Sequence, residues 1–172
     1  TANKAGLIKT DTEIHGIILK GVDKDYNWDY IKSNLISGDI PQYTDEERSN
    51  DVVVSKIIAD KLLLNVGDDV RLWFVGNDMK TRGRKFNIIG IYETGLTECD
   101  ERFIYCDLSQ IRRLNGWENE YVGHLEIQLI DNVNVEEANN YIYYNIATYL
   151  ISCTARELYP HMFDWLDLQD MN

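Results

Sequence analysis

The sequence predicts an α+β fold, and three observations carry that expectation. Val52 to Leu114 runs as strand, capped helix, Gly-Asp turn, strand, hairpin, strand, acidic loop, short strand and capped helix. Val122–Ile130 then alternates, with Leu125, Ile127 and Leu129 on one face and His124, Glu126 and Gln128 on the other, as a half-buried strand does. An Asn134/Glu137 capping box opens a helix to about Leu150, with Val135, Ala138, Ile142, Ile146 and Tyr149 on its apolar stripe.

The remaining elements follow in order. Glu13–Val22 is apolar-rich and reads as a strand weakened at Gly16 and Gly21. Trp28–Ile36 reads as a helix capped by Asn27, with Trp28, Ile31 and Leu35 on one face, ended by Gly38 and Pro41. Gln42–Asp51 is a polar loop. Val52–Val54 is a short buried strand, and Ser55 is a good N-cap for a helix over Lys56–Leu64. Asn65–Asp69 turns the chain into strand Val70–Val75, and the polar, glycine-bounded Gly76–Arg84 loop leads into strand Lys85–Tyr92. After a loop over Thr94–Asp100 and strand Phe103–Cys106, Asp107 and Gln110 form an expected capping box for a helix over Leu108–Leu114, with Gly116 as C-cap. Ile151–Thr154 reads as a last strand. On this pattern residues 1–21 and 119–172 make one α+β lobe, and 22–118 make an inserted β-rich lobe containing the hairpin 70–92.

At 172 residues with 44% hydrophobic content, the chain can bury a real core. Lys+Arg number 17 and Asp+Glu 29, a formal net charge of −12. Such a surface argues against broad binding to nucleic acid, which needs stripes of Lys and Arg. No apolar run approaches the ~18 residues that cross a bilayer. The chain begins without Met and ends at DWLDLQDMN, so both ends read as boundaries of an excised piece. Three cysteines, Cys99, Cys106 and Cys153, are not a disulfide framework and read as free thiols. Cys99 and Cys106 could bridge only if their strands lie side by side, and their redox state is open.

The residues offer little chemistry. There is no nucleophile elbow, phosphate loop or metal-ligand spacing, so no catalytic residue, metal or cofactor is expected. His15, His124 and His161 are scattered. Ser55 follows three valines and opens a helix, which is a cap's position. The acids Glu93, Glu98, Asp100 and Glu101 would suit a calcium loop or a carboxylate-dependent enzyme, but they lack the EF-hand pattern and any glycosidase signature. The hairpin differs. Trp73, Phe74, Met79, Lys80, Arg82, Arg84 and Lys85 put aromatics, a methionine and basic groups together in an acidic chain, and aromatic, Met and Arg side chains are the types enriched in interface cores. Trp73, Phe74, Met79, Lys80, Arg82 and Arg84 are the expected partner-binding residues.

Several segments, taken in order, resemble the extracytoplasmic domain of FtsX-like ABC-transporter permeases with a MacB-type periplasmic core. They are Lys20-Gly-Val-Asp23, the Ser-x3-Ala-x2-Leu of Ser55–Leu62 followed by Gly67-Asp68, Phe86-x-Ile-Ile-Gly-Ile-Tyr92, and Asp100-x5-Cys106-Asp-Leu-Ser-Gln110. The resemblance spans about residues 7–130 and is nearest to the lipoprotein-releasing branch; the Phe163-Asp-Trp-Leu166 ending fits an approach to a second membrane helix. It implies a porter-like α+β lobe whose amino-terminal part lies outside this chain, carrying the inserted lobe. It implies no enzymatic activity in the domain itself, a cytoplasmic ATPase partner acting through the membrane part, and a second permease subunit. It places the domain on the periplasmic side of a bacterial inner membrane. In the lipoprotein-releasing branch a hairpin of the inserted lobe hooks a periplasmic lipoprotein carrier, and the matching position is Trp73–Arg84. The hairpin here is shorter than that hook and has no proline. The same resemblance admits a macrolide-exporter-type or cell-division-type permease whose domain binds an adaptor or a peptidoglycan hydrolase.

Overall fold

A computed structural model describes residues 1–9, 13–76, 79–160 and 163. His161, the Asp164–Leu166 ending and loop positions Asn77 and Asp78 lie outside the described residues. The fold is mixed α+β, as expected. Its strands are β1 (Ala2–Lys9), β2 (Ile14–Val22), β3 (Leu35–Gly38), β4 (Asp51–Ser55), β5 (Asp69–Val75), β6 (Thr81–Tyr92) and β7 (Phe103–Asp107). Its helices are α1 (Asp29–Ser33), α2 (Lys56–Leu62), α3 (Thr97–Asp100), α4 (Leu108–Asn115), α5 (Val135–Asn145) and α6 (Ala155–Leu158). The chain divides into two compact units, Thr1–Leu125 and Glu126–Asn172.

In the first unit the strands lie in the order β3-β6-β4-β7-β2-β1-β5, and β5 also pairs with β6. The strands β6, β4, β7, β2, β1 and β5 therefore close into a ring, with β3 attached outside it. The β1–β5 seam is narrow, held by Leu7↔Trp73 and Ile8↔Leu72. Period-2 alternation turns one face of each strand inward. Ile17 and Leu19 of β2, Val52 and Val54 of β4, Val70, Leu72 and Phe74 of β5, Phe86 and Ile88 of β6, and Ile104 and Cys106 of β7 form one buried core. Helices α2 and α4 seal it through Ile58, Ala59 and Leu62 and through Leu108, Ile111 and Leu114. Both helices are capped as the sequence predicts. Ser55 Oγ accepts the Ile58 N–H at 3.1 Å, and Asp107 Oδ1 accepts the Ser109 N–H at 2.8 Å.

Strand β6 changes phase partway. Val52 faces Ile88 but Val53 faces Gly90, so Ile89 is an extra residue in the ladder. Before the bulge Phe86 and Ile88 point into the ring; after it Ile91 joins the same core while Tyr92 turns outward. Tyr92, Val53 and Ile31 make a second cluster on the outer face, packed by Trp28, Leu35, Ile40, Ile89 and Tyr105. The bulge also brings backbones close. A Cβ on Gly90 would stand 2.4 Å from the Asp39 carbonyl oxygen, and Gly38, at φ +81°, faces Gly90 across the β3–β6 pair.

Several sequence expectations change here. The strand β1 was not anticipated, because Thr1–Gly6 is polar on its outer side and only Ala2 and Ile8 turn fully inward. The helix over Trp28–Ile36 stops at Ser33, because Leu35–Gly38 gains sheet bonds to β6. The capping box at Asp107 forms by half: Gln110 Nε2 donates instead to Ser49 O at 2.7 Å and Asn50 Oδ1 at 2.9 Å. The hairpin loop is shorter than Gly76–Arg84, because Thr81–Arg84 pairs with Val75–Leu72. Residues 1–21 enter the ring as β1 and β2, pairing with β5 and β7.

Residues Val122–Ile130 form no strand: Gly123 and His124 donate to Thr1 O at 3.0 and 3.1 Å, and Leu125 beyond them is 75% exposed. In the second unit α5 is capped by Asn134, whose Oδ1 accepts the Glu137 N–H, and ends at Asn145. Residues 151–154 are not a strand; Thr154 and Glu157 instead build a full capping box for α6. Among the described residues of this unit Thr154 is the buried side chain, and Val135, Tyr141, Tyr144 and Tyr149 are exposed.

Two expected outcomes follow from the ring. Gly90→Ala must displace a carbonyl rather than a flexible side chain and should cost about 1–3 kcal/mol in urea unfolding; unchanged stability would contradict the close approach. Tyr92 and Tyr43 are buried, which raises both phenols above their ordinary value of 10.0. Below pH ~10 both folded and unfolded chains carry neutral phenols. Above it the unfolded chain ionises first, so stability falls with rising pH by about 1.4 kcal/mol per pH unit per tyrosine. Unfolding measured from pH 8 to 11 should show that decline, and Tyr92→Phe should make it shallower.

Candidate partner-binding hairpin

The paired part of the β5–β6 hairpin runs below β4. The last β4–β6 pair is Asp51↔Asn87, whereas β5 follows β6 down to Val75↔Thr81. The turn is closed by Gly76 N–H donating to Lys80 O and Met79 N–H donating to Gly76 O, both at 2.9 Å. Met79 sits at φ 60°, in the left-handed region, and is 83% exposed. The Met79 side chain is thus held outward at the hairpin tip.

The two faces of the hairpin differ. Trp73 is half-buried and lies on the outer face, with its six-membered ring over Gly83, where a Cβ would stand 3.0 Å away. The Arg71 guanidinium sits 5.9 Å from the Trp73 ring centroid. Because β1 and β5 pair only at Leu7 and Ile8, an open groove of about 360 Å³ remains beside Trp73, lined by Lys4, Ala5, Gly6, Leu7 and Val75. On the inner face Phe74 is 1% exposed, so it belongs to the core and presents no surface to a partner. Arg82 lies opposite Phe74 and Arg84 opposite Leu72, both half-buried. Both lie on the inward side of β6, and the Arg84 Nε is buried. Lys80 is exposed, and Lys85 pairs with Asp69 at 2.7 Å. The structure thus gathers Trp73, Met79, Lys80, Arg82 and Arg84 on one projecting element. Sequence reasoning passed over Arg71 although its strand was expected, and missed the groove residues Lys4 and Leu7 because β1 was unread.

The acidic loop resolves into structure. Asp100 is 1% exposed, and its carboxylate accepts from Thr94 N at 3.0 Å, Gly95 N at 3.1 Å and Thr94 Oγ1 at 2.7 Å. Glu93, Glu98 and Glu101 are exposed. Ser55 Oγ donates to Asp100 O while capping α2, so it is held from both sides. The ring of His15 donates from Nε2 to the Glu101 carbonyl at 2.7 Å. Among the described residues no three His, Cys, Asp or Glu side chains group to hold a metal, and no helix is long and apolar enough to cross a membrane. The cysteines are unbridged: Cys106 is buried, Cys99 half-buried and Cys153 exposed, and burial pushes the Cys106 and Cys99 thiols up.

The family model described as MacB-like periplasmic core domain matches residues 5–142. No curated protein matches the chain. Among solved structures, the extracellular domain of the noncanonical ABC-type transporter YknZ from Gram-positive bacteria is 20% identical, with a TM-score of 0.46, covering 65% of this chain and 54% of that domain. A domain described as part of a permease protein from Porphyromonas gingivalis is 14% identical, with a TM-score of 0.36, covering 82% of this chain and 63% of that one. The chain therefore spans about half to two thirds of each.

The Asp100 cluster yields a direct test. Asp100→Ala leaves two backbone N–H groups of the 94–95 turn without their acceptor and should destabilise the protein by about 2–4 kcal/mol in urea unfolding. A change under about 0.5 kcal/mol would mean that the carboxylate is not structural.

Proposed function

The chain belongs to the MacB-like periplasmic core domain family, the extracytoplasmic domains of ABC-transporter permeases, and from that premise we propose that it serves a permease that releases lipoproteins from the inner membrane. In this reading the domain is not an enzyme. A cytoplasmic ATPase does the hydrolysis, the membrane helices of two permease subunits relay its closure, and this domain moves with them to hand cargo to a periplasmic carrier.

One observation supports the hand-over role above the others: a paired hairpin that extends past its sheet neighbours and ends in exposed Met79 and Lys80. An acidic chain that concentrates aromatic, Met and basic groups on one such arm has the composition of an interface core there. Trp73, Met79, Lys80 and Arg82 are the proposed contacts, with Arg84 behind them; Phe74 supports the arm from within the core.

The experiment uses the whole permease in membranes. Met79→Asp, and separately a two-residue turn in place of Gly76–Lys80, should weaken carrier capture at least about tenfold, the effect of losing one interface anchor. Carrier capture unchanged by both variants would overturn the hairpin's role. Lipoprotein release unchanged while binding of an adaptor or a peptidoglycan hydrolase is lost would assign the domain to an exporter-type or cell-division-type permease instead.

A further inference from the structure

Strand β6 leaves half of one edge unpaired. In a strand the backbone groups of alternate residues point to opposite edges. Ile88 N–H donates to Asp68 O and Lys80 O accepts the Gly76 N–H, both at 2.9 Å, so both residues bond on the β5 side. The register between them, from Val75↔Thr81 to Asp69↔Asn87, has no shift. Phe86, Arg84 and Arg82 therefore bond to β5, and Asn87, Lys85, Gly83 and Thr81 turn their N–H and C=O groups to the other edge. On that edge Asn87 N–H donates to Asn50 O at 2.9 Å, and β4 pairs with β6 only from Asn87 to Tyr92. No strand receives Lys85, Gly83 or Thr81 there. Among the described residues none of their N–H groups has an acceptor.

The space beside this edge is open, and the charge along it is one-sided. A polar cleft of about 590 Å³ lies beside the start of β4, lined by Lys85, Phe86 and Asn87 of β6 and by Glu47, Arg48 and Asn50 of the preceding loop. Its other two acids are engaged, Asp51 by Asn87 Nδ2 at 3.1 Å and Asp69 by Lys85 Nζ at 2.7 Å. Thr81 and Lys85 are exposed. Along the hairpin, residues 70–76 and 79–86 carry Arg71, Lys80, Arg82, Arg84 and Lys85 and no Asp or Glu, in a chain of net charge −12. Arg84 Nη1 reaches the edge itself, where it donates to Gly83 O at a long 3.4 Å, and its Nε has no acceptor.

We propose that the β6 edge from Thr81 to Lys85 binds an extended, acidic peptide segment of a partner protein, which joins the sheet as an added strand beyond the start of β4. Groups facing one edge recur every second residue, about 6.6 Å apart. An extended backbone supplies acceptors and donors at that repeat, which is how an open sheet edge takes up a peptide. Charge selects the side chains, because opposite charges on neighbouring strands stabilise a pair and like charges destabilise it. The same charges disfavour a second copy of this chain. Two such edges laid antiparallel about Gly83 would set Arg82 of each copy against Arg84 of the other. The edge is distinct from the hairpin tip, so the site stands whether or not Met79 and its neighbours capture a carrier.

Fluorescence anisotropy of the 172-residue chain with a labelled peptide of alternating Glu and Val tests it. The peptide should bind, and its counterpart of alternating Lys and Val should bind at least about tenfold more weakly. Lys85→Pro removes one edge N–H and leaves the β5 ladder intact. It should bind at least about tenfold more weakly than Lys85→Gln, which loses the same charge and keeps the N–H. Arg84→Gln should lose a similar factor, and Arg102→Gln, an exposed cation before β7, should lose none. In the wild type the Gly83 and Lys85 amides should exchange hydrogen more slowly once the peptide is bound, a readout that needs no variant to fold. Absence of binding, equal binding of the two peptides, equal binding by Lys85→Pro and Lys85→Gln, or unchanged exchange at Gly83 and Lys85 would each overturn the proposal. So would a dimer in sedimentation velocity that Lys85→Pro dissociates, because a second copy would then occupy the edge.

Discussion

Strand β6 gives its first half to β5 and its second half to β3 and β4, and the ring closes only because one strand is long enough to do both. Twelve residues at about 3.3 Å each reach roughly 40 Å, more than twice the length of the five-residue strands β4 and β7. One part of β6 must then satisfy the interior and another must project beyond it. The bulge at Ile89 handles the first demand, re-aiming Ile91 inward and Tyr92 outward at a place where Gly38 and Gly90 allow backbones to touch. The second demand produces the hairpin. An arm that shares its backbone with a core strand is fixed to that core by the same ladder of hydrogen bonds.

Much of this was legible along the chain, for physical reasons that can be named. Three consecutive valines before Ser55 mark a strand buried on both faces followed by a cap, and the ring and the outer Tyr92 cluster cover those two faces. Gly116 sits at φ 68°, as a C-cap glycine does. What local pattern could not give depended on partners distant in sequence. The strands β1 and β3 are too polar or too short to declare themselves and exist through their neighbours β2 and β6. The alternation of Val122–Ile130 has the opposite fate, since pattern without a neighbouring strand to receive its hydrogen bonds does not make a strand.

The candidate site was legible in composition but not in geometry. Trp73, Met79 and the basic residues stood out as types, yet Phe74 differs from Trp73 only by one position of the pleat, which sends it into the core. Gly83 reads as loop and proves to be the place where the Trp73 ring lies flat across the pair. Acidic Asp100 shows the reverse error. A residue type that suggests chemistry is spent on holding a turn.

The central claim is that the hairpin is a rigid extension of the ring rather than a loop. Amide hydrogen exchange in the isolated chain tests it most directly, residue by residue over Arg71–Val75 and Thr81–Lys85. The account predicts protection of the paired amides approaching that of Val52–Val54 in the core. Exchange there as fast as in the exposed segment Thr44–Arg48 would show a mobile loop, and with it the idea of an arm that carries motion from the ring would be lost.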